Sequence, residues 1–240
     1  KHNNELKKYL DKNPNVDEIF LFNYYSYEGW ISEHKTARDI ALNKTSKKIF
    51  SKALNNFKKS MEIAERNNNF NQKLSASHNI ARNYLNEGYY NSDNKKLELH
   101  DNCSLENLEF AKKIKDENVS PIYSNLAKSY LWQQKYDKAE KYIKLDHDLS
   151  IKNNSQFGLG FVYAKYITLY LEYYDDINKA KEYLRKVKII AENLENWGGL
   201  ASIYAEFSRH YKSKGNIQEE KKYNDLRIKY IKKRNDRNKD

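Results

Sequence analysis

The chain has 240 residues, 39% of them hydrophobic and 32% charged, with a formal net charge of +11. Its 14% aromatic content excludes a disordered chain, and no run approaches the roughly 18 apolar residues that a membrane-spanning helix needs. The single cysteine, Cys103, excludes an intramolecular disulfide and any cysteine-based metal cluster, while 2 prolines and 7 glycines leave little punctuation for many short strands.

Long helices joined by polar loops remain. A short helix is predicted near 2–12, followed by five hairpins: 16–32 with 45–67, 72–88 with 95–116, 119–134 with 137–153, 156–174 with 176–194, and 197–214 with 216–236. In the first, Phe22, Tyr25 and Trp30 are placed to cap the hairpin or to close the mouth of a groove. The second contains "GYYNSDNKK" (88–96), which reads as an insertion. In the fourth, Tyr163, Tyr166, Tyr170 and either Tyr173 or Tyr174 share one helical face, expected in the core between helices, with a groove wall as the alternative. The stripe Ile177, Ala180, Leu184, Val187 and Ala191 is core. Residues 221–240 carry nine Lys/Arg against three Asp/Glu, so the basic excess is concentrated in the last helix and tail. That run reads as a solvated face, with a domain junction or a phosphate-contacting surface as alternatives.

The hairpins are copies of one unit. "MEIAERNNN" (61–69), "LEFAKKIKD" (108–116), "HDLSIKNNS" (147–155) and "KIIAENLEN" (188–196) align on Ala64, Ala111, Ser150 and Ala191, spaced by 47, 39 and 41 residues. Each segment is followed by a second helical pattern that ends in a tyrosine, at Tyr84, Tyr130, Tyr170 and Tyr211, with spacings of 46, 40 and 41. A third landmark runs Ala53, His100, Ala139, Ala180 and Glu220, where small residues let helices approach and His100 and Glu220 are exceptions. A single hairpin cannot bury both of its faces, so the copies must stack into an all-α superhelix, or solenoid, with a concave groove.

"SNLAKSYLWQQKYDKAEKYI" (124–143), with Ala127, Tyr130, Tyr136 and Ala139 in register, resembles the tetratricopeptide repeat (TPR), and "NIARNYLNEG" (79–88) is similar. The family's usual proline after the second helix is absent, and the period here exceeds its 34 residues. The resemblance covers roughly residues 16–236, as one domain with repeats at 16–67, 72–116, 119–153, 156–194 and 197–236. The elongated helices resemble the arrays of bacterial peptide-pheromone receptors and of segments attached to bacterial kinases and cyclases. The start at Lys1 rather than Met reads as a fragment of a longer protein.

In TPR-like arrays the first helix of each repeat lines the groove. With Ala81, Ala127, Ile167 and Ser208 as the buried position, Asn79, Asn125, Lys165 and Glu206 stand two residues earlier. Arg82, Lys128, Thr168 and Arg209 stand one residue later, so amides and cations recur and Glu206 and Thr168 are the exceptions. Asn side chains can bond a peptide's N–H and C=O, and Arg or Lys can hold a carboxylate. Asn79, Arg82, Asn125, Lys128, Lys165 and Arg209 are therefore the candidate ligand-binding residues. The bland alternative is a solvated face, because Asn, Lys and Arg are common throughout.

Chemistry beyond binding has no signature. The six histidines, His2, His34, His78, His100, His147 and His210, show no metal-ligand spacing, and "GLG" at 158–160 follows no strand that would make it a phosphate loop. His34 and His147 are expected at exposed helix positions. No enzyme activity, metal or cofactor is expected. The expected function is non-catalytic binding of a peptide or protein segment, as the sensory or docking part of a bacterial signalling protein in the cytoplasm. A scaffold for protein assembly and a nucleic-acid-binding helical repeat are the alternatives, and an extracytoplasmic sensor segment is the alternative location.

Overall fold

The computed structural model describes residues 17–41 and 47–237. These hold ten helices: α1 (Glu18–Ala41), α2 (Lys47–Arg66), α3 (Phe70–Asn91), α4 (Asn94–Lys113), α5 (Ser120–Trp132), α6 (Tyr136–Lys152), α7 (Gln156–Glu172), α8 (Ile177–Asn193), α9 (Trp197–Ser213) and α10 (Ile217–Arg237). The helix expected at 2–12 lies outside the described residues. No strand occurs among the described residues. Sequence-adjacent helices pack in pairs, so the fold is an all-α solenoid of five hairpins.

The residue contacts divide the chain into two compact units, 1–122 and 123–240. In the first, α1 packs on α2, α2 on α3, α3 on α4, and α1 also reaches α3. Phe22, Ile63, Ala64 and Ala76 form one core cluster, and Phe50 and Phe57 are fully buried. In the second unit α5 meets α6 through the stacked rings of Tyr130 and Tyr142, 5.7 Å apart. There the core runs from Ile167 and Leu171 through Leu200 and Phe207 to Tyr223 and Tyr230.

Two of the repeating landmarks are helix ends. The backbone N–H of Asn69, Asp116, Ser155 and Asn196 donates to the carbonyl of Ala64, Ala111, Ser150 and Ala191, at 3.0, 2.9, 2.9 and 2.8 Å. The preceding residues, Asn68, Lys115, Asn154 and Glu195, adopt left-handed backbone with φ of 51, 56, 50 and 51°. This is a helix stop that satisfies otherwise orphaned carbonyls. The tyrosine landmark works alike, with Lys135, Asp176 and Asn216 donating to Tyr130, Tyr170 and Tyr211, each at 2.9 Å. Starts are set by side-chain caps: Asn69 on Gln72, Asp93 on Lys95 and Lys96, Ser155 on Gly158, Asp176 on Asn178 and Lys179, and Asn196 on Gly199.

The segment 88–96 is not an inserted loop. The stop in the second hairpin falls on Gly88, whose carbonyl accepts from Asp93 at 2.9 Å, four residues beyond Tyr84. Only Ser92 and Asp93 separate α3 from α4. The extra residues have gone into the helices, about one turn on each side of the hairpin. An addition of about seven residues is close to two helical turns, so the apolar stripe keeps its phase and the pattern hides the change. The first helix also runs on to Ala41 rather than ending at 32, since "EHKTARDIA" contains neither Pro nor Gly.

The exceptions at the close-approach position find their own solutions. Ala53, Ala139 and Ala180 are fully buried, and so is His100, whose Nδ1 donates to the Ala81 carbonyl at 2.9 Å. At the other exception it is the backbone that pairs, the Glu220 carbonyl accepting from Ser208 Oγ at 3.4 Å. Tyr163, Tyr166 and Tyr170 surround Tyr183 of α8 at 5.7, 4.7 and 5.6 Å, which places them between helices. Tyr173 and Tyr174 are exposed, and the Tyr174 hydroxyl donates to Glu140 at 2.8 Å. Phe22 is buried and Tyr25 packs against its cluster, whereas Trp30 is exposed and stacks on Tyr27. His147 is half-buried against Tyr163 and Tyr166, and the side chain of His34 lies outside the described residues.

Candidate ligand-binding face

Within the second unit, α7 presents one face through Phe161, Lys165, Thr168 and Glu172, which recur at helical spacing. The corresponding positions of α5 within this unit are Asn125, Lys128 and Trp132, and those of α9 are Ser202, Glu206, Arg209 and Ser213. Asn125 is half-buried. Lys128 is exposed, with its ammonium 4.5 Å from the centre of the Trp132 ring.

Lys165 is buried instead. Its Nζ donates to Ser124 Oγ at 2.6 Å and to the Phe161 carbonyl at 3.3 Å, with Asp146 Oδ2 at 3.9 Å. Burial brings its pKa down to about 8, with the Lys128 charge adding to the shift and Asp146 opposing it. This lysine ties α7 to α5 and α6 more than it offers charge to a ligand.

The two exceptions to the amide-and-cation pattern are partners of each other. Thr168 Oγ1 donates to Glu206 Oε2 at 2.8 Å, joining α7 to α9. Burial pushes the Glu206 carboxyl up to about 7; Glu172 adds to this, while the Thr168 hydrogen bond and Arg209 oppose it. Glu172 is raised as well, by burial, against Arg209. Arg209 is exposed beside both carboxylates. These groups line a cleft of about 560 Å³, with the Asp175–Lys214 ion pair (2.7 Å) also on its wall. The cleft therefore offers a guanidinium, a hydroxyl-bound carboxyl and an exposed carboxyl within one opening, a set able to meet both donors and acceptors of a bound chain.

In the first unit, Asn79 is half-buried on α3 and Arg82 is engaged by Glu33 of α1 at 2.8 Å. His78 is held neutral, its pKa lowered to about 4 by burial and by the Arg82 and His100 charges. The candidate residues thus fall into two groups: Asn125, Lys128, Lys165 and Arg209 share the α5–α7–α9 face, and Asn79 and Arg82 sit on α3. Glu33, Glu172 and Glu206 were not among the candidates, because a search for recurring amides and cations passes over the carboxylates facing them. Among the described residues, no group of three or more His, Cys, Asp or Glu is placed to hold a metal ion, and no helix is long and apolar enough to cross a membrane.

No protein-family model matches the chain, and no curated protein matches its sequence. Solved structures do match. The crystal structure of BtubC (BKLC) from P. vanneervenii is 12% identical, with a TM-score of 0.51 over 92% of this chain and 93% of that one. The apo form of RapI is 12% identical, with a TM-score of 0.54 over 98% of this chain and 90% of that one. At such identity the likeness is one of fold: the chain is similar to both as an all-helical repeat protein.

Proposed function

We propose that the protein is a non-catalytic, TPR-like binding module that takes a peptide or protein segment on the α5–α7–α9 face of its second unit. In this reading it is the sensory or docking part of a bacterial signalling protein, on the cytoplasmic side. The observation that carries the reading is the mixed-charge cleft where Glu172, Glu206 and Arg209 converge. An extended segment presents alternating N–H and C=O groups, and the exposed Arg209 and Lys128 and the half-buried Asn125 lie on the face it would cross. The all-helical repeat fold supports the same reading, since stacked hairpins serve elsewhere as extended binding surfaces.

The test is the thermal midpoint of the chain against pooled extended peptides, at low and moderate salt. A ligand of the folded state raises the midpoint by mass action. A rise that survives moderate salt is expected, and Lys128→Ala combined with Arg209→Ala should weaken the peptide found by at least tenfold. Unchanged affinity in that double variant would move the ligand off this face. No response to any peptide would replace this reading with that of an assembly scaffold.

A further inference from the structure

The first unit holds a charged constellation that the proposed ligand face does not use. Glu33 is 5% exposed, a carboxylate taken almost wholly out of water. Its Oε2 accepts from Arg82 Nε at 3.2 Å and from Nη2 at 2.8 Å, and its Oε1 accepts from Asn86 Nδ2 at 2.7 Å. Arg82 and Asn86 stand four residues apart on one face of α3, so a rigid helix holds both donors. Glu33 comes from α1 and is 49 residues away from Arg82 in sequence. The Arg82 side chain keeps 27% of its surface open, against 6% for the Glu33 side chain, so Arg82 is more accessible than the carboxylate it holds.

A surface ion pair needs only proximity. Here each oxygen of one carboxylate has its own directed donor, one charged and one neutral, which is how a site for a carboxylate group is built. We propose that Arg82 and Asn86 form a carboxylate-binding site that the chain keeps filled with its own Glu33, so that a foreign carboxylate enters only by displacing Glu33 and loosening α1 from α3. Tethering gives Glu33 a high effective concentration at the donors, so dilute carboxylates do not compete while it is present. Removing it leaves the Arg82 and Asn86 donors facing a space of the size of the group removed, and the Arg82 charge favours an anion there.

The experiment is a rescue. Glu33→Ala deletes a CH₂–COO⁻ group, which acetate replaces atom for atom. Glu33→Ala should unfold at a lower temperature than wild type, and acetate should raise its midpoint by about 3–6 °C at saturation, relative to chloride at equal ionic strength. Wild type should show no acetate-specific rise. Glu33→Gln should show none either, because its amide still fills the space, and Glu33→Ala/Arg82→Met should lose the response. An acetate effect on Glu33→Ala no larger than that on wild type, or one that survives loss of Arg82, would overturn the proposal. If Glu33→Ala does not fold unaided, acetate must restore the folded protein, and failure to do so also overturns it.

Discussion

Replacing Glu206 with glutamine should make the protein more stable at high pH and change it little at low pH. The native carboxyl holds its proton to about pH 7, against an ordinary value of 4.5. Between those two values the folded protein binds more protons than the unfolded chain, so this residue's contribution to stability falls as the pH rises through that window. Glutamine mimics the protonated form and can still accept the Thr168 hydroxyl, now 2.8 Å from Oε2. A difference of about 2.5 pH units corresponds to about 3 kcal/mol if nothing relaxes. Water at the mouth of the cleft lowers the expected figure to about 1–2 kcal/mol. Glu172 is present in both proteins, so its own raised pKa largely cancels in the comparison. The assay is urea unfolding of both proteins, followed by circular dichroism, at pH 5 and pH 8. Glu206→Gln should exceed wild type by about 1–2 kcal/mol at pH 8, with most of that advantage gone at pH 5. An advantage that is independent of pH, or larger at pH 5, would show that the wild-type carboxyl is ionised in the folded protein at neutral pH, and the account of the cleft would fail with it.

Two further expectations concern packing in the first unit. A Cβ added at Gly29 would lie 2.4 Å from the Phe57 ring, itself fully buried, so Gly29→Ala should destabilise by about 1–3 kcal/mol in urea unfolding. Asn83 is fully buried, and neither its Oδ1 nor its Nδ2 has a partner among the described residues. Asn83→Leu, which keeps the branched skeleton and the number of side-chain heavy atoms, should therefore stabilise by about 1 kcal/mol; a loss of stability would overturn the reading of the amide as unpaired.

Much of the fold was legible because its signals are local. Ala64, Ala111, Ser150 and Ala191 recur because each accepts the closing hydrogen bond of a helix from a residue five positions later, a contact contained in one short segment. The tyrosines of α7 were legible as core because their spacing puts them on one face, where Tyr183 meets them. The lengthening of the second hairpin was not legible. Two added helical turns leave the apolar pattern in phase, and only the shift of the stop from Tyr84 to Gly88 reveals them.

The candidate site divided along the same line. The sequence by itself determined that amides and cations recur on the first helices of the second to fifth hairpins, since helical periodicity and repeat spacing put them there. It also marked Thr168 and Glu206 as departures. Only the tertiary structure decided that those two are bonded to each other, that Glu33 occupies Arg82, and that Lys165 is buried while Arg209 is exposed. Each of those outcomes depends on which side chain stands opposite across a gap of about 40–50 residues. Helix length and packing between repeats set that opposition, and they are a property of neighbouring hairpins together rather than of any one segment.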